Sequence, residues 1–209
     1  MRKNSYPGKF VVFEGIDGAG GETQSNLLID FLKEGKIPVE KLTYPDYSGP
    51  IGKIIHRFLH KKYEFSPEIQ FLLYFTDFLK NKRKIEKRQK EVKFIISDRY
   101  FTSTLAYQGL KGFPLKTALN FAKTFQLPKP DLIIYLKISP ETSIKRKFKE
   151  KGNLDRHESD KKFLGNLERF YKKLIKRKIF GQWVVVNGER PIEKVFEEIK
   201  RVIFSKISI

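Results

Sequence analysis

Four short apolar runs recur along the chain, Lys9-Phe10-Val11-Val12-Phe13, Lys93 to Ser97, Asp131 to Leu136 and Trp183 to Val186, and Val39 to Tyr44, which mixes in Glu40, Lys41 and Thr43, reads as a further strand. Runs that are apolar at nearly every position are strands covered on both faces, and such strands belong to parallel sheets clad by helices. The segments between them carry the helical period. Leu27, Leu28, Phe31 and Leu32 form one stripe, and Ile51, Ile54, Ile55, Phe58 and Leu59 form the next. A long helix is expected to open near Ser66-Pro67-Glu68, and two more helical segments precede the fourth strand. Pro140 opens another helix, and one from about Ser159 carries Phe163, Leu167, Phe170 and Leu174. The last helix runs through Val195, Ile199 and Val202. The pattern predicts an α/β chain, a three-layer α/β/α sandwich on a five-stranded parallel sheet. Its candidate linkers, Tyr44 to Gly49 and Gly109 to Pro114, are short, so residues 1–209 are expected to form one domain.

In such sheets a ligand sits beyond the carboxyl ends of the strands. The two most polar strand ends are Glu14 to Thr23 and Asp98 to Tyr100, which are therefore expected on one rim. The spacing Gly15-x-x-x-x-Gly20 between a strand and a helix is the backbone half of a phosphate-binding loop, in which successive N–H groups and the helix N-terminus surround phosphate oxygens. Gly15, Ile16, Asp17, Gly18, Ala19, Gly20, Gly21, Glu22 and Thr23 are the candidate lining. The side-chain half of the motif calls for Lys and then Ser or Thr, but this chain has Gly21 and Glu22, with Thr23 one place late. Glu22 and Asp98 are the carboxylates available to a divalent cation.

With 43 Lys and Arg against 24 Asp and Glu, the formal net charge is +19, which points to an anionic partner or to a solvated Lys- and Glu-rich surface of the heat-adapted kind. The chain contains no cysteine, so disulfides and thiolate metal sites are excluded. No run approaches 18 apolar residues, and the polar start Met1 to Lys9 has no signal-like core. The expectation is a cytoplasmic protein without a membrane segment.

From Phe13 to about Glu198 the chain resembles the thymidylate kinases, a family of P-loop nucleoside monophosphate kinases. Phe13-Glu14-Gly15-Ile16-Asp17-Gly18-Ala19-Gly20 is similar to the family's first strand and loop, and Tyr44-Pro45 to the turn bordering its monophosphate pocket. Leu72-Leu73-Tyr74 resembles the segment whose ring stacks on thymine. Asp98-Arg99-Tyr100 with Ser103, Ala106, Tyr107, Gln108 and Gly109 is the most specific match. Pro130 to Leu136 with Ser139-Pro140-Glu141 resembles the fourth strand, and Asp155-Arg156 with Glu158 the end of a mobile lid at about 145–160. The resemblance implies ATP as phosphoryl donor, Mg²⁺, dTMP as acceptor, and a homodimer. It implies Asp17, Asp98, Arg99 and Arg156 as catalytic residues, and Tyr44, Tyr74, Arg99, Ser103, Tyr107 and Gln108 around the acceptor. Basic lid residues Arg146, Lys149 and Arg156 would close over the donor phosphates.

The residue types suit that chemistry independently, because phosphoryl transfer is mainly positioning and charge neutralisation by an arginine fork and a carboxylate near the metal. The chain also departs from the family. Asp46-Tyr47 and Phe78 stand where arginines are usual, and Lys137 where an acid is usual. Lys53, Arg57, Lys80 and Arg146 are the candidates to replace the missing loop lysine. A catalytically weak nucleotide-binding relative would bind nucleotide without forming ADP, and a kinase for another pyrimidine such as UMP would differ only in acceptor. A nucleic-acid-binding protein would use the charge alone, but no aromatic-basic single-strand motif is present.

Overall fold

The computed structural model describes residues 8–91, 93–152 and 160–207. In chain order the elements are β1 (Lys9–Glu14), α1 (Gly21–Glu34), β2 (Val39–Thr43), α2 (Pro50–Leu59), α3 (Pro67–Leu79), α4 (Lys82–Glu91), β3 (Phe94–Asp98), α5 (Phe101–Leu110), α6 (Leu115–Thr124), β4 (Leu132–Lys137), α7 (Pro140–Lys151), α8 (Lys161–Lys176), β5 (Trp183–Asn187) and α9 (Ile192–Lys206). The strands pair in the order β2-β3-β1-β4-β5, every pair parallel, with helices on both faces. The three-layer sandwich read from the apolar runs is the architecture found.

The central strands β1, β3 and β4 bury nearly every residue, as their unbroken apolar runs require, whereas β2 and β5 at the edges are only partly covered. Register carries the site. Phe13 lies opposite Asp98 on one side of β1 and opposite Ile134 on the other, so the carboxyl ends of β1 and β3 stop level. Helix starts follow local chemistry. Ser66 and Ser139 cap α3 and α7, each followed by proline at the first helical position, and Asp160 caps α8.

Three sequence expectations shift in detail. The long helix from Pro67 breaks at Lys80–Asn81 into α3 and α4, because Lys80 turns to pair with Asp46 and Asp77 while the Asn81 amide donates to the Tyr44 hydroxyl at 3.0 Å. On α2, Ile55 and Phe58 are buried, but Ile54 is 37% exposed. On α8 the buried stripe is Leu164, Leu167, Tyr171 and Leu174, leaving Phe163 and Phe170 at its margin. An apolar pattern marks a helix face to within about one position, and packing partners choose the exact rotation.

Candidate active site

The loop between β1 and α1 closes around a cleft of about 930 Å³ that runs across the carboxyl ends of the strands. Gly20 has φ +93, a left-handed conformation that turns the loop into the mouth of α1, and the first intrahelical bond there is Gln24 N–H to the Gly20 carbonyl at 2.9 Å. The N–H groups of that first turn have no intrahelical acceptor and form the positive end of the helix. Gly21 is set by a neighbour: a Cβ there would lie 2.5 Å from Asp98 Oδ1. The Asp98 carboxylate thus occupies the space through which the lysine stem of a complete loop would pass. No described side chain hydrogen-bonds to or pairs with Asp98. Burial, reinforced by Glu14 and Glu22 and opposed by Arg99, pushes its pKa up to about 6.

Arg99 follows Asp98 with φ +61, outside the usual range of a non-glycine residue. Its Nη2 meets Asp17 Oδ1 at 2.6 Å, and its Nη1 donates to the Gly15 carbonyl at 3.0 Å and to Ser103 Oγ at 3.3 Å. The Tyr107 hydroxyl donates to the other Asp17 oxygen at 2.8 Å, and the guanidinium lies over the Tyr107 ring. The two polar strand ends therefore meet on one rim.

Tyr74 is half-buried on α3 and faces the cleft. Gln108 is 2% exposed, lines the same cleft, and its Oε1 accepts no hydrogen bond from the described residues. Tyr44 walls the cleft from the far side, with its ring edge-on to Phe78 and its hydroxyl taken by Asn81. Ser103 also lines the cleft, but its hydroxyl donates inward to Glu14 at 2.6 Å.

Among the candidates for the missing positive charge, Arg146 reaches the cleft, with Nη1 on the Gly18 carbonyl at 3.3 Å and Nη2 on the Gly188 carbonyl at 2.9 Å. Lys80 is committed to Asp46 and Asp77, Arg57 donates to the Tyr63 hydroxyl, and neither they nor Lys53 line the cleft. Lys149 is exposed, and Lys147 faces the cleft in its place, paired with Glu150 at 2.7 Å. Arg156 and most of the lid end lie outside the described residues.

Sequence reasoning named Glu14 within the first polar strand end but gave it no role, and passed over Thr104, Glu189 and Arg190; all four border the cleft. Glu189 accepts from Ser139 N–H and Thr142 Oγ1 at 2.6 and 2.7 Å, tying the turn after β5 to the start of α7. Glu14 is 1% exposed, and burial raises its pKa against the pull of Arg99 and three hydroxyl donors. A carboxylate directly following the apolar run Phe10 to Phe13 was the signal that could have singled it out.

A parallel sheet carrying a phosphate-binding loop beside an arginine fork, with a deep aromatic-walled cleft between, defines a P-loop protein of the nucleotide phosphotransferase class. The thymidylate kinase family model matches residues 13–199. The chain is 35% identical to a probable thymidylate kinase of Pyrobaculum aerophilum, covering 93% of this chain and 97% of that protein. It is 31% identical to the thymidylate kinase of Dictyostelium discoideum, covering 97% and 89%. The solved thymidylate kinase of Candida albicans shares the fold at a TM-score of 0.76 and 24% identity, over 97% of this chain and 93% of that one. The chain belongs to the thymidylate kinase family.

Proposed function

We propose that this protein transfers the γ-phosphoryl group of ATP to dTMP, forming dTDP for dTTP synthesis. One observation carries the reading: Arg99 is bonded at once to Gly15 of the phosphate loop and to Asp17, so an anion-binding fork stands at the edge of the loop. Donor phosphates on the loop N–H groups and acceptor phosphate on Arg99 then face each other. An acceptor oxygen forms the new bond to the γ-phosphorus, the bond to the β–γ bridging oxygen breaks, and ADP leaves with that electron pair. Proximity and charge neutralisation are what such a site has to supply.

Each side chain has a place in this reading. The thymine lies against Tyr74 with Gln108 at its edge, Tyr44 walls the pocket, and Asp17 with Tyr107 orients the fork. Ser103 keeps Arg99 in place. Asp98 and Glu22 border the loop with carboxylates that have no ion-pair partner among the described residues, a hard oxygen donor set that fits Mg²⁺. Bound there, the ion would supply neutralising charge at the donor phosphates. Arg146 and Lys147 add positive charge at the donor end, and the segment at about 145–160, including Arg156, serves as the lid. Residues 1–209 act as one domain in the cytoplasm, where both nucleotides are available. Among the described residues no helix is long and apolar enough to cross a membrane. The packed pair α2 and α3 exposes Ile54, Ile69 and Leu72, surface suited to a homodimer whose mass light scattering would measure.

Side-by-side turnover of dTMP, dUMP, UMP and CMP with ATP and Mg²⁺ tests the assignment. The highest kcat/KM is expected with dTMP. Tight nucleotide binding in calorimetry with no ADP formed from any of the four would overturn it.

A further inference from the structure

We infer that Glu14 is a positioning residue for the acceptor phosphate: a buried carboxylate that builds the first turn of α5 and, through the Ser103 hydroxyl, fixes the Arg99 guanidinium. The inference rests on Arg99 being the acceptor-phosphate ligand.

Glu14 ends β1 and is sealed from water, yet it accepts from five donors. Oε1 takes Tyr100 N–H at 3.2 Å, Ser103 N–H at 3.0 Å and Thr102 Oγ1 at 2.6 Å, and Oε2 takes Ser103 Oγ at 2.6 Å and the Tyr171 hydroxyl at 2.8 Å. A lone carboxylate in the interior is strongly disfavoured, and this donor set is what makes it tolerable. Two of the donors are N–H groups at the start of α5, whose N-cap, Tyr100, provides no capping side chain of its own. Glu14 does from the neighbouring strand what a capping side chain normally does, and its negative charge suits the positive helix end.

Arg99 is pinned by this arrangement. Its own N–H is bonded to the Phe13 carbonyl at 2.9 Å, its carbonyl accepts from Ser97 Oγ at 2.7 Å, and the next N–H along the chain is held by Glu14. Those fixed points hold a left-handed residue that would otherwise relax. The Ser103 hydroxyl has one proton. Because that proton goes to Glu14, the oxygen lone pairs are left for Arg99 Nη1.

Tyr171 gives the idea a clean handle. It sits on α8, is fully buried, is absent from the cleft wall, and its hydroxyl reaches Glu14 Oε2 at 2.8 Å and, at a longer 3.3 Å, Ser103 Oγ. An effect of Tyr171→Phe on dTMP must therefore travel through the Glu14–Ser103 pair that holds Arg99. In Glu14→Gln an amide N–H faces Ser103 Oγ and turns the serine proton toward the guanidinium.

The test compares Arg99→Ala, Glu14→Gln and Tyr171→Phe in the full chain, by dTMP calorimetry, KM for each substrate, kcat and thermal melting. Arg99→Ala is expected to lose roughly 10- to 100-fold in dTMP affinity, the range of a hydrogen bond to a charged group. Glu14→Gln should raise the dTMP KM by about 10-fold and Tyr171→Phe by about 3-fold, in the range of single hydrogen bonds, with the ATP KM unchanged. A merely structural role would lower the melting temperature and leave the dTMP KM alone. If Glu14→Gln does not fold, Tyr171→Phe decides. Parental dTMP affinity in folded Glu14→Gln or Tyr171→Phe, beside a weakened Arg99→Ala, overturns the inference alone. Parental affinity in Arg99→Ala overturns the acceptor reading itself.

Discussion

Restoring the missing half of the phosphate loop, Gly21→Lys with Glu22→Thr, should raise turnover strongly. Two unit charges about 4 Å apart at an effective dielectric of about 20 interact by about 4 kcal/mol, so adding a cation and removing a carboxylate beside polyphosphate is worth at least that order. The structure sets a counter-term. A Cβ at position 21 meets Asp98 Oδ1 at 2.5 Å, so the Asp98 carboxylate must rotate aside, at a cost on the order of 1 kcal/mol for a displaced side chain. A net gain of about 3 kcal/mol corresponds to roughly a hundredfold in rate. Gly21→Ala isolates the steric part, since it brings the collision without the charge, and should lower turnover modestly. The assay is ADP release coupled to NADH oxidation, with saturating dTMP, ATP and Mg²⁺ and with melting curves to confirm folding. If the folded double variant turns over at or below the parental rate, the loop substitutions are not what limits this site.

Turnover should decline as pH falls below about 6, because Asp98 then takes up a proton and would lose its hold on the proposed cation. Glu22→Gln removes one of the charges raising that pKa, so the acid limb of the pH–rate profile should move to lower pH; an unmoved limb contradicts the assignment. The stability linkage has the opposite sign to an ion-paired acid. The folded pKa lies above the ordinary aspartate value of 3.8, so the Asp98 contribution is fully favourable below that value and is lost as pH rises through about 6. Added Mg²⁺ should offset that loss in melting experiments near neutral pH. Lys80→Ala strips the buried Asp77 carboxylate of its partner at 2.6 Å; with the Lys80 side chain 25% exposed, about 2 kcal/mol is expected, or roughly 4–8 °C in melting temperature. Tyr74→Phe should keep the dTMP KM within about 2-fold, whereas Tyr74→Ala should raise it by about 10-fold if the ring stacks on the base.

Strand runs such as Phe10 to Phe13 and Leu132 to Leu136 announced a parallel sheet because residues buried on both faces must be apolar throughout, a condition local enough to read along the chain. The Gly15-x-x-x-x-Gly20 spacing likewise disclosed the loop, since a helix mouth facing phosphate needs backbone that only glycine allows. Local pattern did not reveal which side chains would be spent inside the protein. Ser103, Tyr44 and Lys80 looked free in the sequence, but tertiary neighbours engage them through Glu14, Asn81 and the Asp46–Asp77 pair. Glu14 was given no role from the sequence because its five donors come from residues 86 to 157 positions away. Asp98 filling the space beside Gly21 is equally invisible in the order of residues. The chain alone determined the layers and the loop through short-range sterics and burial, whereas the charge relations that decide catalysis arose only when distant strand ends were brought level.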